Sequence, residues 1–239
     1  MSSPSVVPGV VPRSSSRELP RLIALSSGAL NPGAFMEFLA RLRHALDAGL
    51  PGLLLREPGL CDAAYCELLE RVLQLREMAN PGMWIGVHDR LHMGLAHEVD
   101  GLHLGFTSMK PALARACWAT RRDPDEIRIG FSAHAHDDPE ELVSSDYLFL
   151  APVRETRSKP GARPLGWPAF EDFVARTDVP TLALGGIRPE DTAEALSRGA
   201  HGVAVLSGIL GAGDVEAATR SYVAAGQINA ASSKGESRT

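Results

Sequence analysis

Between Arg21 and Gly226 the chain switches repeatedly between short runs of branched apolar residues and longer stretches whose apolar residues recur every three to four positions. The short runs have the length and composition of strands buried on both faces, and the longer period is that of a helix with one apolar stripe. A strand followed by a helix, repeated without a break, returns each strand parallel to the last and covers the sheet with helices. The first strand is expected at 21–27. After the turn signal Asn31-Pro32-Gly33, residues 34–49 set Phe35, Phe38, Leu39, Leu42 and Leu46 on one helical face and end at Gly49. The rhythm continues with strands at 53–57, 83–89, 101–105, 127–134, 147–153, 181–187 and 202–210. Helices are expected between them, including one over 138–145, and a last one over 214–226. Eight units is the number that closes a (β/α)8 TIM barrel, with an open doubly wound sheet as the alternative.

The single barrel domain is expected to span 19–227. The Ser/Pro/Val-rich segment 1–18 and the small polar segment 228–239 read as tails, and Pro8, Gly9 and Pro12 break up any signal-peptide core. Acidic residues outnumber basic ones by 29 to 24, a net charge of −5, which argues against an extended nucleic-acid face. No apolar run approaches the roughly 20 residues that span a bilayer. Three cysteines, Cys61, Cys66 and Cys117, form no C-x2-C or Cys/His array of the kind that holds zinc. An enzyme of the reducing cytoplasm fits these features. Oligomeric state is left open, a homo-oligomer included.

In a TIM barrel the chemistry lies at the carboxyl ends of the strands. Those ends carry Arg56-Glu57, His88-Asp89, His103, Ser132 with His134, a loop with Thr156, Ser158 and Lys159, and two glycine-rich turns. The turns, with Gly185-Gly186 after the seventh strand and Leu206-Ser207-Gly208 after the eighth, let backbone N–H groups approach an anion without a Cβ in the way. Such a pair after strands seven and eight is this fold's usual phosphate cup. Lys159 could add a mobile charge, and Thr156 and Ser158 hydrogen bonds.

The series LLLRE, VHDRLHMGLAHEVDGLHLG, IGFSAH, DYLFLAPVRETRSK, LALGGI and GVAVLSGIL resembles the thiamine phosphate synthase and thiazole tautomerase superfamily over nearly the whole chain. The resemblance implies a barrel that binds a small thiazole phosphate, held by the turns around Gly186 and Ser207. It also separates two branches. Synthases end their second strand in Gln-x-Arg-x-Lys to grip a pyrimidine diphosphate, where this chain has Leu54, Arg56 and Pro58. They hold Mg²⁺ with two aspartates, where this chain has His88-Asp89 and Phe106-Thr107-Ser108, so only Asp89 remains. Proline carries no charge and donates nothing, and Mg²⁺ prefers several hard oxygens beside phosphates.

These losses resemble the tautomerase branch, an isomerase that aromatises a carboxylated thiazole phosphate with no cofactor. The resemblance places its catalytic histidine at His134. Imidazole titrates near neutral pH, as proton transfer between two carbons requires. Arg56 could bind the substrate carboxylate or pair with Glu57. His103 either lines the mouth or, the favoured reading, fills a core layer. Asp89 could be a relic metal ligand, a partner orienting a histidine, or a helix N-cap, and His88 is a second candidate acid/base. Two alternatives stand beside the isomerase: a Mg²⁺-dependent synthase, and a non-catalytic binder of thiazole or thiamine phosphate.

Overall fold

The computed structural model describes residues 17–138, 142–156, 161 and 163–232. The eight expected strands are present as β1 (Leu22–Leu25), β2 (Gly52–Leu55), β3 (Trp84–His88), β4 (Gly101–Leu104), β5 (Arg128–Ala133), β6 (Tyr147–Leu150), β7 (Thr181–Leu184) and β8 (Gly202–Val205). Each pairs in parallel with the next, and β8 pairs back onto β1 through Leu22–Val203, Ile23–Ala204 and Ala24–Val205. The sheet is therefore a closed barrel. Closure, which strand count alone left open, settles the choice against an open sheet.

Around it run α1 (Phe35–Asp47), α2 (Asp62–Ala79), α3 (Leu91–Ala96), α4 (Pro111–Ala119), α5 (Gly166–Val174), α6 (Pro189–Ser197) and α7 (Val215–Ser232). α1 shows why the pattern folds this way. It buries Phe35, Phe38, Leu42, Ala45 and Leu46 against the strands, and each fully buried large apolar side chain contributes about 1.5–3 kcal/mol. It ends where Gly49 takes φ of +91°, so that Gly49 N–H donates to Leu46 O and Leu50 N–H to Ala45 O. The helix expected over 138–145 falls partly on 139–141, outside the described residues. What is described after them is a turn closed by Ser145 N–H donating to Leu142 O.

Two cores result. One lies between strands and helices. The other fills the barrel and includes Ile23, Leu54, Trp84, Tyr147, Phe149 and Leu182. Trp84 and Tyr147 meet edge to face, with ring centroids 6.0 Å apart. They fit because Gly101 and Gly130 face them, where a Cβ would lie 2.1 Å from a carbon of the Trp84 or Tyr147 ring.

The floor of the barrel is fastened by Asp100, which is fully buried. Its carboxylate accepts hydrogen bonds from Arg17 (2.7 Å), Arg76 (3.3 Å) and the N–H of Ile85 (2.8 Å). Arg17 also donates to the carbonyl of Pro81 at 2.7 Å. Arg17 falls in the segment expected to be a tail, and its side chain instead docks on the fold. At the other end α7 runs to Ser232, past the boundary expected at Gln227.

Candidate active site

The carboxyl ends of the strands form the mouth. On one side of it the β7 and β8 turns stand together. Gly185 and Gly186 have φ of +94° and +69°, and a Cβ on Gly186 would lie 2.2 Å from the carbonyl oxygen of Glu155 in the β6 loop. Only glycine fits both the backbone angle and that approach. Among the described residues the N–H groups of Gly186, Ser207 and Gly208 donate to no protein acceptor. Tyr222 of α7 ties the two turns together. Its hydroxyl donates to Ile187 O at 2.8 Å, and a Cβ on Gly208 would lie 2.5 Å from the Tyr222 hydroxyl oxygen. Burial, with Glu190 and Asp191 adding to it, pushes the Tyr222 phenol up to about 12, so it stays a donor. Open N–H groups on two adjacent turns are what an anionic oxygen cluster needs. Half-buried Leu206 packs beneath them onto the barrel core.

At β2, the half-buried Arg56 lays its guanidinium over Gly28, where a Cβ would come within 2.5 Å of Nη1. Its own N–H is fixed by Ser26 Oγ at 2.8 Å. Among the described residues that guanidinium has neither an ion pair nor a hydrogen bond, so it is available to an anion. Glu57 is different. It is 2% exposed, and its two oxygens accept the N–H groups of Gly28 (3.0 Å) and Leu30 (2.8 Å). Glu57, one of the strand-end residues read as candidates for the mouth, instead clamps the β1–α1 loop, and the Arg56–Glu57 ion pair does not form.

His88, Asp89, His103 and Ser132 come together at the ends of β3, β4 and β5. Asp89 sits at φ of +58° and accepts from the Ser108 hydroxyl, from Gly105 N–H at 3.0 Å and from His88 Nδ1 at 3.0 Å. It orients a histidine and braces two loops. α3 has no side-chain cap, so the N-cap reading of Asp89 falls away. Burial by itself would raise the Asp89 carboxyl, but the hydrogen bonds from His88, Ser108 and Gly105 outweigh it and hold it well below the usual carboxylate range. A carboxyl depressed on folding stabilises above its unfolded value near pH 4, and that contribution is lost as pH falls below it. Asp89→Asn should therefore lower stability near neutrality and flatten its acid-side decline, read from urea midpoints between about pH 6 and pH 3. An unchanged slope would mean that the bonds to Asp89 carry no net stabilisation.

His103 is 1% exposed, stacks on Phe149 at 4.2 Å between centroids, and meets Ser132 Oγ through Nε2 at 3.0 Å. Complete burial, reinforced by the nearby His88, pushes its imidazole well below the usual value, so it is neutral. It fills a core layer and leaves no surface for the substrate contact held open for it.

His134, directly after β5, borders a cleft of about 230 Å³ with Phe106, Lys110, Phe131, His136, Asp137 and Leu142. Its backbone N–H donates to Asp137 Oδ2 at 2.7 Å, and the same oxygen lies 3.6 Å from His134 Nδ1. The Phe106 ring meets the imidazole edge to face at 4.9 Å. Asp137, Lys110 and Tyr222 were not singled out in the sequence, and Ser108 was noted only as standing in place of a second metal-binding aspartate. Asp137 had a signal, three residues after His134 in the same turn, whereas a tyrosine in the last helix had none. Thr156 is half-buried in the β6 loop beside Glu155. Ser158 and Lys159 lie outside the described residues.

A model of the family described as thiamine monophosphate synthase matches residues 29–209, most of the barrel. The chain belongs to that family. A thiamine-phosphate synthase of Moorella thermoacetica is 35% identical over 185 residues, covering 76% of this chain and 85% of that one. One from Chloroflexus aurantiacus is 33% identical over 162 residues, covering 66% and 72%. Among solved structures, a thiamine phosphate pyrophosphorylase from Pyrococcus furiosus superposes with a TM-score of 0.73 at 26% identity, covering 87% of this chain and 96% of that one. Family membership places the chain in thiamine biosynthesis. These relatives carry the synthase name, the alternative reading of the sequence rather than the leading one. Synthases of the family use Mg²⁺, and the residues here do not suit it. Asp89 has both oxygens engaged, and serine stands at 108 in place of a second carboxylate. Mg²⁺ demands a near-octahedral shell of hard oxygens. Among the described residues no helix is long and apolar enough to cross a membrane.

Proposed function

We propose that the chain binds a carboxylated thiazole phosphate and isomerises it to the aromatic tautomer by proton transfer. The state of Asp89 carries this reading: the remaining carboxylate of the family's metal site is built into the mouth as a brace, and Pro58 leaves the diphosphate-gripping lysine position empty. In this scheme the N–H groups of Gly186, Ser207 and Gly208 hold the phosphate, and the Arg56 fork takes the carboxylate. His134 accepts the ring-carbon proton, and the resulting imidazolium returns a proton to the exocyclic carbon, so the proton count is unchanged. Asp137, with Oδ2 3.6 Å from Nδ1, stands beside the imidazole.

A second reading, a thiamine-phosphate synthase, is favoured by the names of the relatives at 35% and 33% identity. Calorimetric titration separates the two. The isomerase should bind thiazole phosphate, with affinity indifferent to Mg²⁺ and EDTA, and should bind hydroxymethylpyrimidine diphosphate weakly. Tight diphosphate binding that requires Mg²⁺ would overturn the isomerase reading in favour of the synthase.

A further inference from the structure

Away from the mouth, α2 sets Cys66 and Glu70 one turn apart on one face, and His97 follows α3 directly to meet them. Cys66 Sγ is 3.6 Å from His97 Nε2 and 3.6 Å from Glu70 Oε1, and Nε2 is 3.7 Å from that same oxygen. These are close to the edges of one face of a metal's ligand tetrahedron. Bonds of about 2.3 Å to sulfur and about 2.0–2.1 Å to nitrogen and oxygen, at tetrahedral angles, set ligand atoms roughly 3.3–3.6 Å apart.

A second observation is independent of the triangle. His97 Nδ1 lies 3.0 Å from the carbonyl oxygen of Met93, which can only accept. Nδ1 therefore carries the proton, and Nε2 turns its lone pair toward Cys66 and Glu70. Zinc-bound histidines are fixed in the same way by a carbonyl behind the ring.

The geometry points to a binding site for a zinc-type divalent ion, held by the Cys66 thiolate, the Glu70 carboxylate and His97 Nε2, with water as the fourth ligand. Sulfur, nitrogen and oxygen donors together select Zn²⁺ over Mg²⁺ or Ca²⁺. Thiolate and carboxylate balance the ion's two charges. The ion would join α2 to the end of α3 on the outside of the barrel, as a structural clip. Metal binding requires the thiolate, so loading the site releases the Cys66 proton. The sequence concealed the site because 31 residues separate Cys66 from His97.

Cobalt(II) reports on such a site by a near-ultraviolet thiolate charge-transfer band. Titration of the full chain should give that band at one equivalent, bleached by Zn²⁺, absent in Cys66→Ser and unchanged in Cys61→Ser. Glu70→Gln and His97→Gln should each weaken binding by about tenfold or more. Zn²⁺ at about a hundredfold excess over its Kd should raise the melting temperature of the unaltered protein by roughly 5 °C. No thiolate band in the unaltered protein, or a band that survives Cys66→Ser, would overturn the site. So would binding without a thiolate band that is lost in His136→Gln, which would place the metal on the other candidate set, His134, His136 and Asp137.

Discussion

His134→Gln should lower turnover of the thiazole phosphate tautomer by about 10²- to 10⁴-fold while leaving affinity for thiazole phosphate within a factor of about two. Glutamine keeps the size and polarity of the side chain but cannot take and return a proton near neutral pH. The turns proposed to hold the phosphate follow β7 and β8, and His134 follows β5, so the loss should fall on kcat and spare binding. Two controls make the result specific. His136, 84% exposed, should be replaceable with little effect. His88, at the end of β3, is another imidazole of the mouth held by a carboxylate, through Asp89 at 3.0 Å. If His88→Gln lost turnover and His134→Gln kept it, the acid/base role would belong to His88.

Asp100→Ala should destabilise the fold by about 3–5 kcal/mol, the usual cost of removing one partner from a buried ion pair. The carboxylate has no exposed surface. Its removal leaves the 2%-exposed Arg76 guanidinium without that partner and orphans the N–H of Ile85. At this chain length the loss corresponds to a fall in melting temperature of roughly 10 °C. Asp100→Asn should cost less, because the amide oxygen still accepts from Ile85. Arg17→Ala should cost less again, because Arg17 reaches solvent with 28% of its side chain exposed. A melting temperature for Asp100→Ala within a degree or two of the parent would show that water replaces the carboxylate and that the amino-terminal anchor is dispensable.

Much of the barrel was legible because its physics is local. Period and turn chemistry mark each strand and helix, and Gly49, Gly185 and Gly186 occupy positions with φ that only glycine takes without strain. The glycine turns after β7 and β8, where we propose the phosphate binds, were legible for the same reason: they are made of backbone. Side-chain partnerships across the fold were not. Glu57 reads as a mouth residue from its place at a strand end, yet two N–H groups 29 and 27 residues upstream claim it. Asp89 reads as half of a metal site until Ser108, 19 residues on, is seen to hold it. Arg17 reads as tail because nothing in a Ser/Pro-rich stretch announces that Asp100, 83 residues away, needs a cation.

The Tyr222 hydroxyl also bears on the order in which the molecule becomes competent during synthesis. All eight strands precede α7 in the chain, so the barrel can close while the last helix is still inside the ribosome. The β7 turn, however, is fastened through Ile187 by a residue made after every strand. A nascent chain stopped short of Tyr222 would have all eight strands but not this tie on the β7 turn, so the turn would be fastened only once the last helix has emerged.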